Sequence, residues 1–489
     1  MRAVRAAGGA AAVHGADGGE PGAPAPVGGA ATDQYIWADR YDRTLDDAFA
    51  IQSDLAQKIV MAVGAALSTK EQGRLAAAPT PSVEAYRLYL QGRAYSLRPG
   101  PLRSNIEAAQ HFYEQAIALD AGFALAHAAP SRAHGDMWWL RYDPASSRLA
   151  RQRAEAEIAL RLAPGLPEAH LAMGRWHYSA RQDWRAALTE YTVALRESPN
   201  DVEAVEQIGY TQRRLGNWDE AIAASRKAAA LDPRKASLFG DLGASTFDIT
   251  RRYADAADAW DQASRFAPDL PQVSVDRGWT VVRWKRDFGL LREALDSLPA
   301  DAELGVRGSV AIQRALMLLL DRDADRLLRE LDRSRLGVLE EVDLFVPGEL
   351  FAAWAHLLRR DDASARAAFT AAVARLDSAD RELPDDWRVH VSRGLALAGL
   401  GRRGEALVQA QWLAGTQRYR GDAYQGPVVA EARAMVLAQA GYADKALDEI
   451  ERLLSGPSRL SVHTLRLDLR WDPIRNHPRF NASLEKYGP

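Results

Sequence analysis

The chain has 489 residues, with 62 Lys and Arg against 65 Asp and Glu, a formal charge of −3. Such balance argues against a dedicated nucleic-acid binder, which carries a basic excess. The absence of cysteine removes disulfides, thiolate nucleophiles, iron–sulfur clusters and Cys-based zinc sites.

Residues 1–32 are rich in Ala, Gly and Pro and lack a continuous apolar stretch, so they read as a disordered head. Arg2 and Arg5 faintly resemble the start of a signal peptide, but Gly8, Gly9, His14 and Asp17 interrupt the apolar core it would need. The run Asp33 to Thr44 predicts a strand entering a turn. Ile51, Leu55, Ile59, Val63 and Leu67 then form a four-residue stripe on one amphipathic helix. A strand ahead of a single helix wants a partner, and none is expected within 1–32. The longest strongly apolar run, Ala315 to Leu320, is far short of the ~20 residues that a membrane span needs.

From residue 80 the chain repeats. Pro164, Pro199, Pro233 and Pro268 recur at intervals of 35, 34 and 35 residues. Before the last three stand parallel columns: Trp184, Trp218 and Tyr253; Ala187, Ala221 and Ala256; Tyr191, Ser225 and Trp260; Ala194, Ala228 and Ala263. The two Ala columns are seven apart, so they share one face of a helix and let it approach a neighbour closely. The large residue between them is expected to fill the gap to the next unit. Pro ends each unit because it cannot continue a helix. Asn217 and Glu220 predict a capping box. Weaker echoes stand at Ala109, Tyr113 and Ala116; at Ala365, Phe369 and Ala372; at Gly394, Gly401, Ala406 and Ala410; and at Gly441, Ala446, Ile450 and Leu453. Residues 270–340 keep the rhythm without the signature.

These columns, with Ile208-Gly209 and Leu242-Gly243 in the first helices, resemble the tetratricopeptide repeat. The resemblance implies an all-α, right-handed superhelical solenoid of about ten helix pairs over 80–458, built from mutually stacked units. Residues 33–79 resemble the junction at which a TolB-like or FlgO-like α/β domain meets such an array in bacterial signalling proteins. There the strand is similar to Tyr35–Arg43 and the helix to Asp47–Val60. The close of the chain, Asp468 to Arg475 followed by His477 to Phe480, also resembles how those proteins end, and 459–489 is expected to cap the array. Proteins of that group often carry a protein kinase, a nucleotide cyclase or a winged-helix domain upstream. The resemblance therefore implies either the C-terminal part of such a protein or a short form with its own head. Its expected place is the cytoplasm, or the periplasm behind an upstream anchor.

Few motifs carry chemistry. Gly399-Leu400-Gly401-Arg402-Arg403-Gly404 matches G-x-G-x-x-G, but a dinucleotide site needs a preceding strand, and this run reads as a turn between helices. No phosphate loop, zinc-protease helix, hydrolase elbow or kinase loop occurs, so no catalytic residue, cofactor or metal is assigned. His127, His134, His170 and His177 form two pairs at spacing seven and read as a repeat echo. Trp138-Trp139 read either as ordinary core or as a loop over the groove. In the resembled family, certain first-helix residues face the concave groove. By register these are Arg175, Tyr178, Tyr210, Arg213, Arg214, Phe247, Trp279 and Arg283. Aromatic and Arg side chains together make a hot spot for an acidic peptide or protein segment; the competing reading is a solvated Arg-rich face. The family's Lys/Asn carboxylate clamp is absent. The expected function is thus a non-catalytic protein–protein interaction module or scaffold in signal transduction. The alternative is the regulatory part of a kinase, cyclase or transcriptional regulator. No nucleic acid or membrane partner is expected.

Overall fold

The computed structural model describes residues 25–28, 35–39, 78–98, 102–334 and 337–488. The helix expected on Ile51 to Leu67 and most of the head lie outside these residues. Strand β1 (Ala25–Gly28) pairs antiparallel with β2 (Tyr35–Asp39), with Val27 opposite Trp37. The strand expected to lack a partner therefore has one in the head itself. A short pairing of this kind tolerates Pro26 because both of its strands are edges.

Helices then follow in antiparallel pairs. The first three pairs are α1 (Val83–Ser96) with α2 (Arg103–Leu119), α3 (Ala124–Trp139) with α4 (Ser146–Leu162), and α5 (Pro167–Trp176) with α6 (Trp184–Glu197). Next come α7 (Val202–Leu215) with α8 (Trp218–Leu231), α9 (Ala236–Asp241) with α10 (Tyr253–Phe266), and α11 (Pro271–Lys285) with α12 (Gly289–Asp296). Then stand α13 (Val310–Leu320) with α14 (Ala324–Ser334), α15 (Gly348–Leu358) with α16 (Asp362–Glu382), and α17 (Trp387–Gly399) with α18 (Arg403–Gly415). After the short α19 (Gln417–Gly421), α20 (Gly426–Gln439) pairs with α21 (Ala443–Ser455). Ten pairs stand among the described residues, and adjacent pairs share apolar contacts along the whole array.

The repeat columns explain the packing. Ala187, Ala194, Ala221, Ala228, Ala256 and Ala263 are fully buried between the helices of their units. The large column faces two ways. Tyr113, Tyr191 and Trp260 lay their rings over Gly92, Gly174 and Gly243 of their own first helices; a Cβ on Gly243 would stand 2.8 Å from Trp260. They also join the next unit: Tyr113 shares a core with Phe123, Tyr191 with Ala204 and Trp260 with Val273, and Trp260 Nε1 donates to Thr280 Oγ1 at 3.0 Å. Asn217 also departs from the predicted capping box. Its side chain donates to Gln212 Oε1 instead of accepting from the helix that it precedes.

In the nine pairs after the first the turn passes through the left-handed region, at Gln182 with φ of 52° in the third. Gly216, Gly401 and Gly441 have φ of 84°, 77° and 80°. The same place in sister units is taken by Arg141, Arg251, Arg286, Arg322 and Arg360, with φ between 56° and 65°. Gly399 to Gly404 is accordingly a turn between α17 and α18, with Gly401 N–H donating to Ala398 O.

Two features were not legible as repeats. A hairpin, β3 (Val338–Glu341) and β4 (Leu344–Pro347), stands between the seventh and eighth pairs, where helical rhythm was expected. Its Leu339, Phe345 and Val346 are buried in the core, and the four backbone pairings from Val338 with Pro347 to Glu341 with Leu344 fix it as a hairpin. The array also closes on itself. Arg141 reaches Asp386 at 2.9 Å. Arg251 donates to the carbonyls of Leu453, Gly456 and Leu460, and Arg322 pairs with Asp472 at 2.6 Å. Backbone bonds join Ala423 N to Arg214 O and Ser458 N to Ile249 O, each at 3.0 Å. Beyond α21, Trp471 and Phe480 are fully buried, and Arg479 bonds Asp448 and Glu451 of α21. That segment covers the apolar end which a repeat array otherwise exposes.

Candidate functional site

Closure turns the concave side into a chamber of about 420 Å³. Its walls come from α3, α5, α7, α9 and α11 on one side. The β3–β4 turn, Tyr424, Gln425 and Arg459 form the other. The volume falls within the ~300–1,000 Å³ typical of small-ligand sites.

Five of the eight residues picked by register line it: Arg175, Tyr178, Tyr210, Arg213 and Arg214. They come from α5, its continuation and α7. The other three do not. Phe247 is buried with Val202, Ile222 and Leu242. It ends a π-helical turn, Leu242–Phe247, that extends α9 and packs against α8 and α10. Trp279 is buried and donates from Nε1 to Gln313 Oε1 at 2.8 Å, while Arg283 pairs with Asp248 at 2.5 Å. The long connection after α12 carries buried Leu304 back toward α11, and its Arg307 pairs with Asp276. The open groove expected along successive first helices is thus replaced by a chamber enclosed by the chain's own C-terminal half.

The arginines of the chamber have unequal surroundings. Arg214 is 2% exposed and fully engaged, with Nη1 donating to Asp422 at 2.6 Å and Nε to Tyr178 Oη at 2.7 Å. Arg175 and Arg132 share Glu203 at 2.7 and 3.4 Å. Burial works to raise the Glu203 carboxyl, but those two guanidinium groups outweigh it and hold the group well below the usual range. Arg307 pairs with Asp276 at 2.7 Å and Arg459 with Asp343 at 3.3 Å. Arg213 stands apart. Among the described residues no carboxylate lies within ion-pairing distance of it, and its buried Nε finds no acceptor. Its guanidinium carbon lies over the rings of Tyr210 and Tyr424, 4.4 and 4.2 Å from their centroids.

Two acids in the wall carry raised pKa values. Burial, then the neighbouring Glu206, pushes Asp241 to about 6, where it accepts from Tyr210 Oη. Burial pushes Glu341 to about 7, against the pull of Arg307. Glu341 is surrounded by protein yet faces the chamber.

Sequence reasoning missed Tyr424, Arg459, Glu341 and Asp343, which lie far along the chain. A signal was present: Arg at the left-handed turn position that sister units give to Gly marks a side chain used elsewhere, and three of the five such arginines close the ring. Trp139 faces the chamber from the last turn of α3 itself, with its ring 6.0 Å from Tyr178 and the Arg214 guanidinium 5.2 Å from its centroid. The histidines repeat one local device. His127 bonds Glu155 and Ala121 O, His170 bonds Glu190 and Pro164 O, and His390, not singled out before, bonds Gln409 and Pro384 O. Each ties the turn between units to a second helix.

No family model matches the chain. A 100-residue stretch is 35% identical to a Rhizobium meliloti (strain 1021) protein provisionally named adenylate cyclase 3, covering 20% of this chain and 17% of that protein. The chain therefore spans under a fifth of the length of this curated relative. Among solved structures, PilW, a type IV pilus biogenesis factor, covers 44% of this chain and 91% of its own at 16% identity and a TM-score of 0.34. A thermophilic tetratricopeptide protein of Thermus thermophilus covers 40% and 99% at 16% identity and 0.35. YrrB, described as having an unusual peptide-binding site, covers 42% and 95% at 20% identity and 0.25. Scores this small match only part of the array, so the tetratricopeptide-type solenoid rests on the columns and contacts themselves.

Proposed function

We propose that this chain is a non-catalytic interaction module of a bacterial signalling or regulatory protein, recognising a peptide or protein segment on its concave side. One observation carries the reading: Arg175, Tyr178, Tyr210, Arg213 and Arg214, chosen only by repeat register, converge on one chamber. Arg and Tyr are the side chains that concentrate binding energy in desolvated sites. Because the chain's own C-terminal half encloses the chamber, a partner offers a short segment at its mouth and does not lie extended along several units. The stretch shared with the protein named an adenylate cyclase is consistent with attachment to a cyclase domain in a longer protein. In that arrangement the module regulates and the other domain reacts.

The test is affinity recovery of partners from bacterial lysate on the parent chain and on Arg213→Gln, both of verified helicity. A partner held by the parent and lost by the variant supports the reading. Equal recovery places partner recognition on the convex face or the C-terminal segment.

A further inference from the structure

The unpartnered guanidinium inside the chamber has a chemical consequence that extends the partner reading and rests on it only for the place of the site. We propose that the chamber is an effector site for a small organic monocarboxylate with an aromatic or apolar body, held by Arg213.

The first ground is an unmet valence. Arg213 is 8% exposed, lines the chamber and has an Nε with no acceptor, whereas each of the five other arginines lining it has an ion pair. Leaving a buried charge unsatisfied costs the fold, and an incoming anion removes that cost. The second ground is geometry. The rings of Tyr210 and Tyr424 lie against the guanidinium, with its carbon 4.4 and 4.2 Å from their centroids, and its N–H donors lie along its edge. Edge-on presentation of parallel N–H groups matches a carboxylate.

The third ground is charge selection. Asp241, Asp276, Glu341 and Asp343 also face the chamber. One negative charge is compensated by Arg213, and a second has only carboxylates or already-paired arginines to meet. A dianion such as a phosphate monoester is therefore disfavoured against a monocarboxylate. The fourth ground is the remainder of the wall, where the rings of Trp139 and Tyr178 offer apolar area for the ligand's body. A free acid in this place competes with a partner segment at the mouth, which makes it a regulator of the same site.

Isothermal titration of the full chain with benzoate, phenylacetate and indole-3-acetate tests this, with phenylacetamide and phenyl phosphate as neutral and dianionic counterparts. The expected result is saturable binding of at least one acid at unit stoichiometry. Its amide or phosphate counterpart should bind about tenfold or more weakly, and Arg213→Gln should lose about tenfold or more in affinity for the acid. Val342→Trp, at the hairpin tip, should fill the chamber and abolish binding while Arg213 stays in place. A tripeptide with a free C-terminus and its amidated form separate a chain terminus from a free acid; preference for the tripeptide over all three acids overturns the small-molecule assignment. No binding by any acid, or equal binding by parent and both variants, overturns the site. None of these readouts needs the partner protein, so failure here leaves the partner reading standing.

Discussion

The columns that define the repeat act through single side chains, and glycine is where their effect is sharpest. Gly174 and Gly404 are both inside helices, yet a Cβ on Gly174 would overlap the Tyr191 ring while one on Gly404 meets nothing within 4 Å. Gly174→Ala should destabilise by ~1–3 kcal/mol through overpacking. Gly404→Ala should stabilise by roughly 0.5–1 kcal/mol through helix propensity. Denaturant unfolding of both variants checks this, and equal shifts would remove the packing argument. Glu341 gives a second residue-scale expectation. Its acid form is favoured in the fold up to about pH 7, but the unfolded chain releases that proton near 4.5. The group therefore subtracts stability as pH rises between those values, by about 1.4 kcal/mol per pH unit, and the loss levels off above. Glu341→Gln should gain on the parent between pH 5 and pH 7. A gain that is the same at both would show that the carboxyl is not held neutral.

At the scale of elements, the turns inside each pair decide more than where helices stop. A non-glycine residue in the left-handed region costs ~1–2 kcal/mol, so Arg at five of these turns needs compensation. Arg251 has it, in three backbone carbonyls and Ser458 Oγ. Arg360, with φ of 59° and an exposed side chain, makes no such contact among the described residues. Arg251→Gly relieves the backbone but deletes the clamp, and should cost ~2–4 kcal/mol, given ~1.5–3 kcal/mol for each hydrogen bond to a charged group. Arg360→Gly should be neutral or stabilising by ~1 kcal/mol. Thermal melts of the pair decide it: if both variants behave alike, the clamp contributes nothing. The same scale shows what the sequence makes legible. Helix pairs follow from the Pro, Ala and Gly columns, because close helix packing admits few residue types. The β3–β4 hairpin escapes because its strands are four residues each, without a clear apolar alternation, and lie where the columns fade. Phe247 is misplaced because its π-helical turn packs against α8 and α10, which no composition signal announces.

At the scale of the molecule, half of the candidate site was legible and half was not, for one physical reason. Repeat register is a local property, and it correctly gathers Arg175, Tyr178, Tyr210, Arg213 and Arg214 on one side. Ring closure depends on contacts between residues about 200 apart, such as Arg214 with Asp422, and no periodicity encodes these. The functional reading turns on that closure, since an open groove takes an extended chain and an enclosed chamber takes a short segment or a small acid. The most direct measurement exploits the absence of native cysteine. A Cβ on Gly216 would stand 3.3 Å from Cβ of Ala423, close to disulfide spacing. In Gly216→Cys/Ala423→Cys, retaining parental helicity, mild oxidation should give a monomeric, reductant-sensitive cross-link with faster mobility on a denaturing gel. Free thiols throughout, or only intermolecular dimers, would contradict a closed ring and with it the chamber.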